Sequence, residues 1–288
     1  MTATKNPAQA AVAEHVLLDG RLALFHQEQR WLAVADLHFG YELSQRAAGR
    51  LMPMWGMESI ESRLNALLSD YAPRQLVILG DLVHDRAAAD EARALIQRLA
   101  EFTEVIVLAG NHDRHVAGTI AMRASWQTDG FHFHHGHCAA EVPGRIQVIG
   151  HHHPAGSITD GAGLRLKLPA FVQQDSCWIM PAFSPWAAGA AWKAEAHSRT
   201  WLCTPQRILP MPEAADKPVS AGRPEPALRQ RSTGARLHQP NVRRIDGAVD
   251  VHITAEVALR HGADSSGGLG LADIGAGDGE IAVRVASQ

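Results

Sequence analysis

The sequence predicts an α/β fold in which sheets and helices form layers. Two observations carry that prediction. Short apolar strand runs alternate with helical patterns from about residue 14 to 209. Five polar blocks rich in Asp and His follow directly on apolar runs. Open α/β sheets set their sites at that place, just past the carboxyl ends of strands.

The elements follow in order. Val16 to Leu18, Asp19-Gly20 and Leu22 to Phe25 read as a hairpin with its turn. Trp31 to Ala35 is an apolar run that ends at Asp36. Glu58 to Tyr71 sets Ile60, Leu64, Leu67, Leu68 and Tyr71 on one helical face. Leu76 to Leu79 reads as a buried strand ending at Gly80-Asp81. Ala88 to Ala100 is again helical, with Ala92, Leu95, Ile96 and Leu99 inward. Val105 to Leu108 ends at Gly110-Asn111. Phe131 to His134 leads into His135, and Ile146 to Ile149 leads into His151.

Composition bounds the function. The chain has 288 residues, 46% hydrophobic and 20% charged, enough for one large domain or a domain with a tail. A net charge of -3 excludes a strongly basic footprint over the whole chain. Nothing resembles a membrane span of about 20 apolar residues. Met1 to Gln9 lacks a signal-peptide core, so a cytoplasmic location is expected and no membrane partner. Cys138, Cys177 and Cys203 are too few and too scattered for a disulfide framework or a metal knuckle, and read as buried free thiols. From Pro210 onward the chain is rich in Pro, Ala and Arg and poor in large apolar residues. Residues 210–288 therefore read as a low-complexity, disordered extension, with a short strand around Val249, Val251 and Ile253. Its Arg229, Arg231, Arg236, Arg243 and Arg244 read as a solvated run before a phosphate-binding one. The late GAGDGE at 275–280 lacks a strand–helix frame and is set aside.

The polar blocks carry the chemistry. They are Asp36-Leu37-His38, Gly80-Asp81, Gly110-Asn111-His112-Asp113, His135-Gly136-His137 and Gly150-His151-His152-His153. Asp36 and His38 leave a strand two residues apart, so strand pleating predicts that they point the same way, as do His151 and His153. A carboxylate bridges two cations, which suits Asp81, and the Asn111 amide oxygen ligates without adding charge. Mixed imidazole and carboxylate donors favour Mn, Fe or Zn over Mg or Ca. Two such ions about 3.5–4 Å apart stabilise both oxygens of an in-line phosphoryl displacement. In the fourth block His135 is read as the ligand, with His137 as the alternative, and His152 is expected to face away. His84, Arg86 and Arg114 lie beside the blocks as candidate substrate contacts, the arginines reading as ordinary surface residues before phosphate-binding ones.

Together the five blocks resemble the motif set of the calcineurin-like metallophosphoesterases over roughly 36–153. The wording ADLHFGYE (35–42), LGDLVHDR (79–86), LAGNHDR (108–114), HGH (135–137), GHHHP (150–154) and MPAFSPW (180–186) is similar, more narrowly, to bacterial ligase-associated DNA-damage-response endonucleases of the PdeM type, from about 14 to 209. The resemblance implies a layered β-sandwich flanked by helices, with a dinuclear metal site at the carboxyl ends of strands. It implies a metallophosphoesterase domain over 1–209. It implies one metal held by Asp36, His38, Asp81 and His153, and a second by Asp81, Asn111, His135 and His151. His112 would be the catalytic imidazole beside the leaving-group oxygen, oriented by Asp113. The family further implies a Mn-dependent DNA phosphodiesterase in repair, beside a DNA ligase, an exonuclease and an Lhr-type helicase. The competing enzyme reading is a phosphomonoesterase or small-nucleotide phosphodiesterase on the same site, with substrate choice in loops such as Ser44 to Met57. A non-catalytic scaffold would have no need of His112.

Overall fold

The computed structural model describes residues 8–116, 118–138, 142–159, 162–193 and 197–212, and the backbone of two strands at 242–245 and 248–251. The chain divides into two compact units, Met1–Ser220 and Ala221–Gln288.

The first unit is built on two sheets. Six strands form the first in chain order: β1 (Gln9–Ala13), β2 (Val16–Asp19), β3 (Ala23–His26), β4 (Trp31–Val34), β5 (Gln75–Ile78) and β6 (Glu104–Val107). β1 to β4 pair antiparallel, whereas β4, β5 and β6 run parallel. Helices make the parallel crossovers, α1 (Tyr41–Ala47) and α2 (Gly56–Tyr71) between β4 and β5, and α3 (Ala89–Ala100) between β5 and β6. The second sheet contains β7 (Ser125–Thr128), β8 (Phe131–His134), β9 (Ile146–Ile149), β10 (Pro154–Thr159), β11 (Arg165–Gln174), β12 (Cys177–Ile179), β13 (Ala190–Ala191), β14 (Ser198–Thr204) and β15 (Arg207–Pro210). Its main path runs β13-β10-β11-β12-β9-β8-β7, with β14 paired to β11 and β15. Here β8, β9 and β12 are parallel. Each sheet thus turns the carboxyl ends of three parallel strands toward the same polar blocks.

Sequence periodicity accounts for the helices. α2 buries Ile60, Leu64, Leu67 and Leu68, and stops where Ala72 turns left-handed ahead of Pro73. α3 buries Ala92, Leu95 and Leu99, with Asp90 and Glu91 in its first turn and Arg98 in its last, matching the helix dipole. Between the sheets Trp31 of β4 meets Phe131 and Phe133 of β8, each at 5.0 Å between ring centroids. Trp31 is fully buried, and such a side chain contributes about 2–3 kcal/mol by leaving water. β4, β5 and β6 each end one residue before the expected apolar run does, because the chain turns sharply into its polar block. Cys203 is buried and Cys177 half-buried. Cys138 is exposed, contrary to the expectation of buried thiols.

The second unit contributes an antiparallel pair, β16 (Val242–Ile245) and β17 (Ala248–Val251). The other expectations for the extension, with Arg229, Arg231, Arg236, the side chains of Arg243 and Arg244, and the 275–280 segment, lie outside the described residues. No helix among the described residues is long and apolar enough to cross a membrane.

The opening hairpin is fixed by one buried carboxylate. Asp19 is 1% exposed and receives Arg21 through Nε at 2.9 Å and Nη2 at 2.7 Å, and the Tyr71 hydroxyl at 2.7 Å. Burial alone raises its pKa, but these partners outweigh burial and hold it below the usual carboxylate value. A depressed folded pKa stabilises above the unfolded value and is lost as pH falls through the folded one. Asp19→Asn is therefore expected to cost about 2–3 kcal/mol at pH 7 in urea unfolding. The gap to the parent should begin to narrow below about pH 4 and continue to shrink as pH falls through the lower folded pKa. A variant as stable as the parent at pH 7 overturns this account.

Candidate metal centre

The five polar blocks leave the ends of β4, β5, β6, β8 and β9 and converge. Their backbone is unusual. Asp36, His38, Asp81, His151 and His153 have φ of 53°, 42°, 47°, 68° and 44°. These five are among eleven non-glycine residues with positive φ in the described residues. Left-handed backbone is uncommon outside glycine, although Asp and His tolerate it better than most. Strand pleating is thus not what aligns Asp36 with His38, or His151 with His153. β4 has ended at Val34 and β9 at Ile149, and left-handed turns swing each side chain inward.

Backbone hydrogen bonds lace the loops together. Asp36 N–H donates to Gly80 O at 3.2 Å, His38 N–H to Asp81 O at 2.9 Å and Gly150 N–H to His135 O at 3.0 Å. The Asp36 carboxylate accepts from His151 N–H at 2.9 Å, and Asp81 Oδ1 accepts from His112 N–H at 2.9 Å. Glycine permits the closest approaches. A Cβ on Gly80 would lie 2.5 Å from His135 Nδ1, and one on Gly110 would lie 2.1 Å from Asp81 Oδ1.

Two sets of donors result. Asp36, His38, Asp81 and His153 offer ligand atoms within 4.8 Å of one another, and so do Asp81, His135 and His151. Asn111 Oδ1 joins the second set, 3.1 Å from His135 Nε2. His151 Nδ1 lies 3.2 Å from the same nitrogen. Asp81 is common to both sets. His135 donates Nδ1–H to Leu79 O at 2.8 Å, so Nε2 is the ring nitrogen that faces the other donors. His135 rather than His137 enters the cluster, for His137 and His152 are exposed.

A cation fits this set. Asp36 is fully buried and Asp81 is 2% exposed, yet neither has a Lys or Arg partner among the described residues. Burial pushes the Asp36 carboxyl up. Burial does the same to Asp81, but the His135 hydrogen bond and charge outweigh it and hold that carboxyl far below its usual range. Burial also lowers His38 to about 3 and His151 to about 4, so both rings are neutral near pH 7 and keep a lone pair to donate. His153 Nε2 is buried and lies 3.4 Å from Asp36 Oδ1 without a well-formed hydrogen bond. Burying polar atoms unsatisfied is costly, and a divalent ion between these donors removes that cost.

His112 lies at the rim. Its Nδ1 meets the His84 carbonyl at 3.1 Å. A carbonyl only accepts, so Nδ1 carries the proton and Nε2 is the free nitrogen. Asp113 does not touch the ring. Its carboxylate accepts from Val83 N–H at 3.1 Å and Gly110 N–H at 2.9 Å, so it holds the loop, and the direct orienting partner of His112 is the His84 backbone. The His84 ring stacks on His112 with centroids 5.2 Å apart. His38, His84 and His112 also form a third grouping of possible ligands. Arg86 and Arg114 are exposed next to the blocks, with no contact to the donor atoms among those described.

The 180–186 segment closes one side. Phe183 N–H donates to Ala35 O at 2.7 Å and Ser184 N–H to Asp36 O at 3.2 Å, across the two sheets. Arg63 of α2 donates to Phe183 O and lies 3.8 Å over that ring.

Comparison with known proteins agrees with this geometry. Residues 30–166 match the model of the calcineurin-like phosphoesterase family. The crystal structure of a Pseudomonas putida nuclease MPE is similar, at 25% identity and a TM-score of 0.57, covering 70% of this chain and 100% of that one. No curated protein matches the chain.

The close approach at Gly110 yields a test that leaves every candidate ligand in place. Its Cβ would also lie 2.2 Å from Asp81 N, so Gly110→Ala must displace Asp81. Elemental analysis of the folded variant is expected to find less than half the parent's metal. Full metal content would show that Asp81 is not held where it is described.

Proposed function

We propose that this chain, a phosphoester hydrolase carrying a calcineurin-like phosphoesterase domain over residues 30–166, is a two-metal phosphodiesterase that cleaves DNA. The observation that carries the reading is the sharing of Asp81 between two donor sets beside a free His112 Nε2. Likeness to a nuclease along the whole of its length supports nucleic acid as the substrate.

In this reading Asp36, His38, Asp81 and His153 hold one divalent ion, and Asp81, Asn111, His135 and His151 hold the other. Bound there, the ions supply the attacking oxygen and neutralise phosphoryl charge. Mn suits the mixed donors best, with Fe or Zn as substitutes. His112, held by the His84 carbonyl, presents Nε2 to the leaving oxygen and, as the imidazolium protonated on both ring nitrogens, delivers the Nε2 proton to it and returns to the neutral ring. Asp113 keeps the loop of His112 folded. Arg86 and Arg114, exposed at the rim, bind flanking phosphates. A role in repair, with a ligase, exonuclease and helicase as companions, follows from the family resemblance and belongs to the same proposal. So does a cytoplasmic location.

The extension expected from residue 210 is proposed to be dispensable for the chemistry, with its start moved to 213 because β15 runs to Pro210 and Met211 still bonds to the sheet. A truncation after Pro212 keeps β15 and the Met211 N–H bond to Thr200 O at 2.8 Å. Its kcat on bis-p-nitrophenyl phosphate should stay within about twofold of the full chain, and a larger loss in a folded product refutes this.

Metal and substrate class are tested in one assay series. Chelation with EDTA followed by dialysis should abolish turnover, and Mn should restore it best. Diester and DNA substrates should be preferred to p-nitrophenyl phosphate. Undiminished turnover in excess EDTA contradicts the metal reading, and a strong monoester preference favours the phosphatase alternative.

His112 separates binding from proton delivery. A nitrophenolate leaves unaided, whereas the alkoxide of a DNA strand needs a proton. His112→Ala should keep its metal and lose about 10²–10⁴-fold on DNA, with a much smaller loss on nitrophenyl diesters. Loss of metal from His112→Ala would make it a ligand instead.

A further inference from the structure

A row of aromatic rings leads outward from His112. The His84 ring stacks on it, Tyr41 packs on His84 at 4.7 Å, Trp186 lies 6.2 Å from Tyr41, and Trp55 lies 4.6 Å from Trp186. These residues come from α1, the loop before α2 and the segments after β5 and β12. Ordinary core packing does not explain the outer end, since Trp55 is 47% exposed. Leu51 and Met54 are exposed in the same loop. Three of the six large apolar side chains exposed among the described residues therefore fall within five positions at this rim. Such a patch marks a recognition surface.

The row is also held in place. Trp186 Nε1–H donates to Glu42 Oε2 at 3.0 Å, and Glu42 is fully buried. The other oxygen of Glu42 accepts Met57 N–H at 2.8 Å, in the first turn of α2. At Gly56 a Cβ would lie 2.2 Å from Trp186 Nε1, so glycine lets α2 begin against the indole. A buried carboxylate thus fixes both the indole of Trp186 and the start of the helix that Trp55 immediately precedes.

We propose that Trp55 and Trp186 form a stacking shelf for an unpaired nucleobase on the leaving-group side of the scissile phosphate. The side follows from the row's inner end, His112, whose Nε2 faces the leaving oxygen. The proposal rests on the nuclease reading and deepens it, by naming what the site recognises besides phosphate. Any base has a flat face, so the shelf selects for an accessible base and not for sequence. A paired base cannot reach it without leaving its duplex.

The test uses the Mn-loaded full chain and two labelled oligonucleotides of equal length and charge, oligodeoxythymidylate and its abasic tetrahydrofuran counterpart. Kd is measured by fluorescence anisotropy and cleavage by gel. The parent should bind the base-bearing strand about 5-fold or more tightly than the abasic one. Trp55→Ala should lose most of that preference, Trp55→Phe should retain much of it, and Phe102→Ala, a distant and exposed control, should keep it in full. Equal binding of both strands by the parent overturns the shelf, as does a preference that survives in Trp55→Ala. Should the parent hydrolyse nitrophenyl diesters yet cut neither strand, the nuclease reading fails while the Kd comparison still decides the shelf.

Discussion

Everything at the centre depends on five side chains held in left-handed backbone conformations at strand ends. Asp36, His38, Asp81, His151 and His153 each take a φ that costs about 1–2 kcal/mol in an ordinary residue. The sum, about 5–10 kcal/mol, is as large as the net stability of many domains. What tolerates it is the lacing between loops: peptide groups join the first block to the second and the fourth to the fifth, and the Asp36 carboxylate takes the His151 N–H across the two sheets. The parallel strands matter for the same reason. They deliver six carboxyl ends to one place, and the turns then aim side chains where a pleated strand would send them to alternate faces.

The electrostatics follow from that geometry. Two buried carboxylates sit among imidazoles with no Lys or Arg to neutralise them among the described residues. Burial keeps His38 and His151 neutral, so these two rings act as lone-pair donors, whereas at His135 burial is outweighed by the Asp81 carboxylate, which raises that ring's pKa and makes it a counter-ion in the metal-free centre. A metal-free centre is consequently a poorly satisfied one, with His153 Nε2 3.4 Å from the Asp36 carboxylate and no well-formed hydrogen bond. Metal binding and the stability of the strained loops are then linked, since an ion that binds the folded state alone stabilises it by mass action.

Much of this was legible in the sequence, for physical reasons. The periodicity of α2 and α3 marks their buried faces, and the polar blocks mark the ends of β4, β5, β6, β8 and β9. The rest depends on information that local patterns do not carry. β11 begins with exposed Arg165, Leu166 and Lys167 and a half-buried Leu168, so no buried stripe announces its start. The His84 carbonyl that holds His112 is a backbone group, and no residue type predicts it. Asp113 looked like the partner of its neighbour, but its carboxylate is taken up by loop N–H groups. Trp55 and Trp186 are far apart in the chain, and only the folded loops bring them together.

The central claim is that the strained loops hold two divalent ions through a shared Asp81. Anomalous X-ray diffraction from crystals grown with Mn tests it most directly, because it locates each ion without reference to activity. Two anomalous peaks about 3.5–4 Å apart are expected, with Asp81 between them. One should lie against Asp36, His38 and His153, and the other against Asn111, His135 and His151. A single peak, or a peak seated among His38, His84 and His112, would contradict the account and would make His112 a ligand in place of a proton donor.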